Sequence, residues 1–414
     1  MRVMVVGSGA REHALCWKLK SSASKVYCLP GNAGTINIAE TGAARTIPEL
    51  AEFAQKERID LTVVGPEAYL AAGIVDYFRA HGLTIFGPTQ QGAQIESSKA
   101  VAKEIMAANN VPTARAATFT DPDEAKEYIR NLPDLPVIKA DGLATGKGVI
   151  LPETLAEANQ AVDELMVTKV YGAAGEKILV EERLSGPEVS VLVLTDGQEI
   201  RLFPPAQDHK RAYDGDKGPN TGGMGAFAPS PLVDAQLLQE IVDTIVRPTL
   251  QGLAASGAPY SGLLYVGLML TDQGPKVIEF NCRFGDPETQ VVLPLVDADL
   301  AQLLYEVAIG QLRSSLPWKE KAVVSVVLAS GGYPGPYQKG LPIVGLDQLA
   351  GLGVEVFHAG TALQSGRVVT AGGRILNVMA TGSNIGVARQ KVYQALDKIK
   401  IKDAYYRKDI GIKI

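Results

Sequence analysis

Cysteine, long apolar runs and excess positive charge are all scarce or absent in this sequence of 414 residues. Its three cysteines, Cys16, Cys28 and Cys282, are far apart and form no CxxC pair, so we expect reduced thiols in a cytoplasmic protein. No run approaches the roughly 20 apolar residues of a membrane-spanning helix. The first apolar run breaks at Gly7, so we expect no signal peptide. The net charge of −5 argues against nucleic acid as a main partner.

The bulk composition is that of an ordinary globular protein. Hydrophobic residues make up 46% of the chain and charged residues 21%. A chain of 414 residues exceeds what one hydrophobic core usually supports, so we expect several domains. His13, His81 and His358 show no metal-ligand spacing, and we interpret them as structural. No Ser–His–Asp or Cys–His pairing is visible either, so nothing indicates a covalent acyl-enzyme.

Short apolar runs alternate with helical patterns in the first third of the chain. This alternation predicts βαβ units and a parallel sheet. Each run ends in a glycine or proline turn, and these are Gly7-Ser8-Gly9, Pro30-Gly31-Asn32, Gly65-Pro66-Glu67 and Gly87-Pro88-Thr89. Because ligands of open parallel sheets bind beyond the carboxyl ends of the strands, the four turns predict one binding rim.

The first of these turns resembles a dinucleotide-binding loop, but its third glycine position is occupied by Glu12. That carboxylate would disturb close helix packing and repel a pyrophosphate. The helix N-terminus that follows still suits a single phosphate, which Arg11 could pair with. We therefore favour a monophosphate over NAD, with a purely structural tight turn as the alternative.

The middle of the chain carries a glycine-rich connection between two strand-like runs, PVIKADGLATGKGVI. It is not a P-loop, because Asp141 stands at the first glycine position and Gly148 follows Lys147 where Ser or Thr would bind magnesium. We predict a hairpin, including Gly146 and Lys147, that closes over phosphates above Lys139 on a strand. Solvated lysines are the alternative, although an apolar setting such as PVIKA requires a lysine to snorkel or find a partner.

Two further segments carry candidate ligand groups. The strand that ends near Glu181 and the turn before Glu188 could present backbone to an adenine edge and a carboxylate to ribose hydroxyls.

In VIEFNCR, alternation predicts Ile278, Phe280 and Cys282 in a core and the remaining polar side chains, Glu279, Asn281 and Arg283, on the opposite face. Two oxygen-bearing side chains beside a guanidinium suit Mg²⁺ and an anion, whereas a plain amphipathic strand is the alternative.

The segment Asp208–Gly225, DHKRAYDGDKGPNTGGMG, is polar, charged and rich in glycine. A long polar loop inside an otherwise apolar protein is typically functional or disordered. Strand-like runs flank it closely, so we favour a binding site for a small, polar, phosphorylated substrate over a solvated surface loop.

These motifs together resemble those of the phosphoribosylamine–glycine ligases (glycinamide ribonucleotide synthetases), ATP-grasp enzymes of purine synthesis. The resemblance covers residues 1 to about 290, in the segments GSGAREHAL, GPE, KADGLATGKGV, EERLSGPEVS, QDHKRAYDGDKGPNTGGMGAF and EFNCRFGDPETQ. Only small residues depart from the family pattern, at Ala10, Thr145 and Cys282. The remaining length suits the C-terminal domain of the family.

The resemblance implies a role for each candidate residue. For ATP it implies Lys103, Lys139, Gly146 and Lys147 at the phosphates, backbone of Glu181 and Leu184 at adenine, and Glu188 at the ribose. For the metal, Mg²⁺ or Mn²⁺, it implies Glu279 and Asn281. For glycine it implies Arg283 and Asp208, which with Lys139 would be the catalytic groups. For 5-phosphoribosylamine it implies Lys210, Asn220, Gly9, Arg11 and Glu67.

The expected fold is a multidomain α/β and α+β protein. It has an N-terminal parallel α/β domain (1–100), an ATP-grasp domain (101–320) with a mobile lid at about 119–191, and a small strand-rich C-terminal domain (321–414). We expect a cytoplasmic monomer or homodimer that acts on small molecules. The alternatives are an ATP-grasp enzyme using another acid, against which the Asp208 segment argues, and a nicotinamide oxidoreductase or nucleotide-binding regulator.

Overall fold

A computed structural model describes residues 1–143 and 148–412 of the chain. The N-terminal part is a five-stranded parallel sheet in the order β3-β2-β1-β4-β5, as the sequence predicted. Its strands are β1 (Arg2–Gly7), β2 (Lys25–Pro30), β3 (Glu40–Thr41), β4 (Leu61–Val64) and β5 (Ile85–Phe86). Its helices are α1 (Ala10–Leu19), α2 (Ile47–Lys56), α3 (Glu67–Ala71), α4 (Ile74–Ala80) and α5 (Gln94–Ser97), with a 3-10 turn at Thr35–Asn37.

Both faces of this sheet are covered, which explains its continuous apolar strands. Successive residues of β1 point to opposite faces, so Met4 and Val6 join one buried cluster while Val3 and Val5 join another. The second cluster also contains Leu303 from a much later helix. The N-terminal sheet therefore shares its core with the central part of the chain.

The first central sheet is antiparallel, in the order β6-β9-β7-β8. Its strands are β6 (Ala116–Phe119), β7 (Val137–Ala140), β8 (Val149–Ile150) and β9 (Ile178–Glu181). Helices α6 (Lys99–Ala108), α7 (Pro122–Arg130) and α8 (Leu155–Val162) accompany it, with a π turn at Asp163–Val167 and a 3-10 turn at Gly172–Gly175. Residues between Ala125 and Val180 form a small buried cluster of their own, and the movement of this part as a lid stays a prediction.

The second central sheet has the antiparallel order β11-β10-β16-β17. This stretch contains β10 (Glu188–Thr195), β11 (Ile200–Leu202), β12 (Gln207–Asp208), β13 (Arg211–Tyr213), β14 (Lys217–Asn220), β15 (Gly225–Ala228), β16 (Gly262–Thr271) and β17 (Gly274–Asn281). Its helices are α9 (Ala235–Ile241), α10 (Arg247–Ala255), α11 (Thr289–Val292) and α12 (Leu300–Ala308), with a π turn at Val242–Val246 and a 3-10 turn at Leu293–Leu295.

Strand β17 departs in one place from the predicted alternation. Gly267 of β16 pairs with Glu279, but the next residue, Leu268, pairs with Val277, so Ile278 is an extra residue in a β-bulge. Val277 is therefore buried and Ile278 only half-buried. The predicted core positions of Phe280 and Cys282 are confirmed, and the prediction for Ile278 was wrong.

The C-terminal sheet has the order β12-β15-β18-β22-β19. This part adds β18 (Ala322–Ala329), β19 (Val354–His358), β20 (Thr361–Gln364), β21 (Arg367–Thr370), β22 (Arg374–Gly382) and α13 (Ile385–Leu396), with a 3-10 turn at Leu346–Leu349. Two of the five strands flank the polar segment Asp208–Gly225, which we predicted as a loop. The segment instead contains the antiparallel hairpin β13–β14, so the C-terminal sheet holds both of its ends. Among the described residues, no helix is long and apolar enough to cross a membrane.

Candidate active site

A group of lysines surrounds one buried carboxylate where β7 and β9 lie side by side. The Lys139 Nζ is 2.9 Å from the Glu181 Oε2 and donates to the carbonyl of Ile278 at 3.0 Å. The Lys103 Nζ is 3.5 Å from the same oxygen. Lys139 and Glu181 are 8% and 3% exposed. The pairing of β7 with β9 sets Lys139 beside Glu181, and α6 brings Lys103 to the same carboxylate.

Burial affects the charge of these lysines. It lowers the pKa of Lys103 to about 8, with Lys139 adding to the shift and Glu181 opposing it. Burial and Lys139 also lower the pKa of Lys99, whose Nζ donates to the carbonyl of Gly142 at 3.1 Å. The sequence reasoning missed Lys99, although it precedes Lys103 by four residues on α6 and therefore shares its helix face.

A second ionic network joins the polar segment to β10 and β17. The Lys210 Nζ is 2.9 Å from the Glu188 Oε2 and 3.2 Å from the Glu279 Oε1. Burial alone would raise the pKa of Glu279, but Lys210 and Lys139 outweigh it and lower the pKa to about 2. The neighbouring lysines therefore favour the ionised form of Glu279. The same carboxylates raise the pKa of Lys210 against the effect of burial.

Glu279 and Asn281 form a donor set that fits a hard divalent cation. One supplies an ionised carboxylate and the other an amide oxygen, two positions apart on β17. Groups of three or more His, Cys, Asp and Glu side chains that could enclose a metal are absent from the described residues. Two protein oxygens fit a cation that takes its other ligands from nucleotide phosphates and water, as Mg²⁺ usually does.

Arg283 continues the polar row of β17 toward the N-terminal sheet. Its Nε is 3.2 Å from the Glu67 Oε2, and its Nη2 is 3.1 Å from the Glu96 Oε1. Glu96 also accepts from the Cys282 backbone at 2.8 Å. Sequence reasoning missed Glu96, because nothing in its local sequence connects α5 with β17. The carboxylates of Glu67 and Glu96 thus fix the guanidinium of Arg283 between β17 and the N-terminal sheet.

A pair of carboxyl groups near Lys210 lacks full charge compensation. Burial raises the pKa of Asp208 well above its usual range, Lys210 opposes the rise, and Glu288 adds to it. Burial likewise raises the pKa of Glu288, which is 3% exposed and accepts from the Tyr265 hydroxyl at 3.0 Å. A bound ammonium group would favour the ionised form of both carboxyls and lower their pKa values. Glu288 was not singled out from the sequence.

The first turn of the N-terminal sheet is closed by its own glutamate. Glu12, 2% exposed, accepts from the Gly9 backbone N–H and from the Arg11 Nε at 2.6 Å. A Cβ on Gly65 would lie 1.9 Å from the Glu12 Oε1, so the carboxylate fits only because the next turn carries glycine. The Arg11 Nη1 also donates to the Phe284 carbonyl at 3.2 Å. Glu12 therefore caps α1 rather than disrupting it.

Fewer contacts define the positions of the other predicted residues that the structure describes. Leu184 is half-buried just beyond β9, and Asn220 ends β14 opposite Arg211. Gly146 and Lys147 lie outside the described residues. The roles of all these residues stay predictions.

Arg374 of the C-terminal sheet was also missed by the sequence analysis. Its guanidinium donates to the Asp286 carbonyl at 2.9 Å and lies 3.2 Å from the Asp286 Oδ2.

Family models match consecutive parts of the chain. They describe the N domain (residues 1–96), the ATP-grasp (A) domain (97–289) and the C domain (323–413) of phosphoribosylglycinamide synthetase. The chain belongs to the phosphoribosylglycinamide synthetase family. The predicted family and fold class are thereby confirmed, whereas the domain boundaries predicted at 100 and 320 stay predictions.

Individual relatives of this synthetase family cover the whole chain. The phosphoribosylamine–glycine ligase of Pseudomonas aeruginosa is 47% identical over 422 residues, which cover 100% of this chain and 98% of the relative. The trifunctional purine biosynthetic protein adenosine-3 of Gallus gallus is 51% identical over 422 residues. This chain spans only 42% of the length of that protein. The crystal structure of the Thermotoga maritima phosphoribosylamine–glycine ligase aligns with a TM-score of 0.87 at 33% identity, covering 99% of this chain and 100% of that one.

Proposed function

We propose that this protein joins glycine to 5-phosphoribosylamine with ATP, giving glycinamide ribonucleotide, ADP and phosphate in purine synthesis. The observation that carries the proposal is the polar row of β17. It sets an ionised Glu279, the amide of Asn281 and the guanidinium of Arg283 between the buried lysines and the N-terminal rim. The full-length similarity to phosphoribosylamine–glycine ligases supports the same conclusion.

The reaction requires activation of a carboxylate, because oxide is too poor a leaving group for direct attack by an amine. Transfer of the ATP γ-phosphoryl group to glycine gives glycyl phosphate, from which phosphate leaves when the sugar amine attacks. Phosphoryl transfer depends on positioning and charge neutralisation more than on protein nucleophiles. The lysines at 99, 103 and 139 supply that positive charge.

ATP binding in the family model supports a nucleotide site between the two central sheets. Lys103 and Lys139 would exchange part of their contact with Glu181 for phosphate oxygens, and Glu188 would reach the ribose. Mg²⁺ would be held by Glu279 and Asn281, where it would neutralise phosphate charge. Mn²⁺ accepts the same oxygen ligands and fits the same donors.

Arg283 suits the carboxylate of glycine, because a guanidinium binds a carboxylate with two parallel hydrogen bonds. The undercompensated carboxyls of Asp208 and Glu288 suit its ammonium group. We assign 5-phosphoribosylamine to Gly9, Arg11, Glu67, Lys210 and Asn220. Both small substrates would then meet near Arg283, on the face of β17 that carries Glu279 and Asn281.

The segment at about 119–191 would act as a lid, because glycyl phosphate hydrolyses in water and must be shielded. Residues between Ala125 and Val180 share a buried cluster of their own, whereas Val189 and Val191 pack in the main core, so the moving part would end before β10. A cytoplasmic location and a monomeric or homodimeric state stay predictions.

The direct test is ADP formation with each substrate omitted in turn, using 5-phosphoribosylamine formed in situ from ribose 5-phosphate and ammonia. We expect ADP only when glycine and the sugar amine are both present. Bicarbonate and formate serve as competing acids. Equal ADP formation with either of them in place of glycine would assign the protein to another ATP-grasp reaction.

A further inference from the structure

Arg407 is the largest side chain that the fold buries completely, at 1% exposure, and it lies close to the C-terminal end of the described chain. Its Nη2 is 2.6 Å from the Asp409 Oδ2 and 2.8 Å from the Asp216 Oδ1, and its Nε is 2.8 Å from the Asp409 Oδ1. Its Nη1 donates to the carbonyl of Arg211 at 3.0 Å. Asp216 and Arg211 belong to the β13–β14 hairpin of the polar segment. One arginine therefore joins the C-terminal segment to both the base and the turn of that hairpin.

Further contacts connect the same two segments in both directions. The Gly215 N–H in the hairpin turn donates to the Asp409 Oδ2 at 2.8 Å. The Lys408 N–H donates to the Asp214 Oδ1 at 2.7 Å. The rings of Tyr213 and Tyr405 lie 5.9 Å apart. The turn of the hairpin is thus fastened to residues 405–409 at several independent points.

Residues 405–410 are themselves held by the C-terminal sheet and helix. The backbones of Tyr405 and Ala329, at the end of β18, exchange two hydrogen bonds of 2.8 and 2.9 Å. From α13, Arg389 donates to the carbonyls of Ile410 at 3.1 Å and Lys408 at 2.7 Å. This segment is therefore a fixed support for the hairpin rather than a loose end.

Apart from the buried Ala212 and the half-buried ends at Arg211 and Asn220, the hairpin is exposed. Tyr213 is 51% exposed, and most of β14 is exposed. A buried arginine with its carboxylates contributes little net stability, since desolvation of the charges offsets their attraction. It does fix geometry, because the planar guanidinium donates hydrogen bonds only in set directions. The contacts are thus better suited to orienting the hairpin than to stabilising the whole fold.

The base of the hairpin leads directly into the candidate active site. Arg211, whose carbonyl accepts from Arg407, follows Lys210, which contacts Glu188 and Glu279. Across the hairpin, Thr221 donates to the Lys210 carbonyl through both its backbone N–H and its hydroxyl, each at 2.8 Å. A shift of the hairpin would therefore move Lys210.

We propose that Arg407 is a positioning residue, which sets the β13–β14 hairpin so that Lys210 and Asn220 at its base meet the phosphorylated amine substrate. The C-terminal segment thereby contributes to substrate binding without touching the substrate. The identity of that substrate rests on the proposed function, whereas the control of hairpin order by Arg407 does not.

The test compares Arg407→Gln with the wild-type chain in two measurements. We expect the KM for 5-phosphoribosylamine to rise about tenfold or more, since small misplacements of binding groups have effects of this size. The KM for ATP should rise by less, although Lys210 also contacts Glu188 and Glu279, because the proposed phosphate ligands Lys103 and Lys139 lie against Glu181 rather than the hairpin. Amide hydrogen exchange should accelerate in residues 211–220 without a comparable change in β1 or β10. Arg407→Lys, which keeps the charge but loses the planar fork, should recover part of the KM.

Asp216→Asn covers the case in which Arg407→Gln does not fold. The Asp216 side chain is 58% exposed, and asparagine tolerates its positive φ of 56°, so folding should be unaffected. We expect a smaller rise in the same KM and faster exchange in the hairpin. In the double variant with Arg407→Gln the two effects should not add, because both remove the same contact.

Arg201→Gln is the matched control, because Arg201 likewise bonds a carboxylate and a carbonyl, those of Glu199 and Ser314, but does so away from the hairpin and its support. It should leave the KM and the hairpin exchange unchanged. Equal effects of Arg201→Gln and Arg407→Gln would overturn the proposal, as would unchanged exchange and KM in Arg407→Gln and Asp216→Asn. A wild-type chain that makes no ADP from glycine and 5-phosphoribosylamine would overturn the proposed function instead, and the exchange measurement would still decide the role of Arg407.

Discussion

At the scale of single residues, the site depends on charges that are balanced in pairs inside the protein. Glu279 is the clearest case, because burial pushes its pKa up while Lys210 and Lys139 lower it to about 2. The lysines thereby favour the ionised form of the proposed metal ligand. Lys103 shows the opposite balance, since burial outweighs Glu181 and brings its pKa down to about 8.

Glu279→Gln should lower turnover roughly a hundredfold or more, as the loss of one electrostatic stabilising group in an active site does. The amide keeps the shape of the side chain but removes the charge that binds the metal and holds Lys210. Steady-state rates over a Mg²⁺ titration provide the measurement. Glu199→Gln, at an exposed pair with Arg201, is the control. Near-normal turnover at saturating Mg²⁺ would place the metal elsewhere.

The kcat/KM for ATP should fall above pH 8, by up to tenfold per pH unit, because free Lys103 loses its proton there. Arginine stays charged, so Lys103→Arg should flatten the profile. The matching effect on folding has the opposite sign. Between pH 8 and the usual lysine range, the unfolded chain binds more protons, so stability rises with pH. An ATP profile that is flat to pH 9.5 in the wild-type chain would exclude Lys103 from the phosphate site.

At the scale of elements, sequence patterns within one strand or turn indicated where many candidate residues lie, whereas their roles stay predictions. The lysine of β7, the polar row of β17 and the glycine turns all follow from local alternation and turn chemistry. Ile278 was placed wrongly, because a bulge depends on the register of the partner strand, which no single strand encodes. Glu96, Glu288 and Arg407 were missed for a similar reason. Their partners come from other elements, and only tertiary folding brings them together.

Arg11, in the first turn of α1, has a proposed role in substrate binding and a structural role as the partner of Glu12. The two roles can be measured separately. Arg11→Ala should raise the KM for 5-phosphoribosylamine and leave that for ATP almost unchanged. It should also cost about 3 kcal/mol of unfolding free energy, because it leaves the buried Glu12 carboxylate unpaired. Denaturant unfolding and steady-state kinetics measure the two effects.

The double variant Arg11→Met/Glu12→Gln tells these effects apart. It removes the unpaired charge, so it should regain most of the stability while the KM for the sugar amine stays high. Recovery of both quantities would mean that Arg11 only neutralises Glu12. A loss of ATP affinity in either variant would contradict the monophosphate assignment of this turn.

At the scale of the whole molecule, three parts of the chain converge on one site. In the proposed function, the N-terminal turns would supply a rim for a sugar phosphate and the two central sheets would supply lysines and metal ligands, while the C-terminal sheet holds the hairpin beside them. This division suits a reaction in which a short-lived acyl phosphate is formed and captured at one site. In such a reaction the protein would act through charges and backbone positions rather than through a nucleophile.

The most direct measurement of this chemistry follows the oxygens of glycine. In glycyl phosphate one carboxylate oxygen bridges carbon and phosphorus, and attack by the sugar amine breaks the bond from that oxygen to carbon. Glycine labelled with heavy oxygen in its carboxylate should therefore deliver one labelled oxygen to each inorganic phosphate formed, as mass spectrometry of the phosphate would show. Unlabelled phosphate, or a label found in AMP, would contradict activation of glycine by phosphoryl transfer.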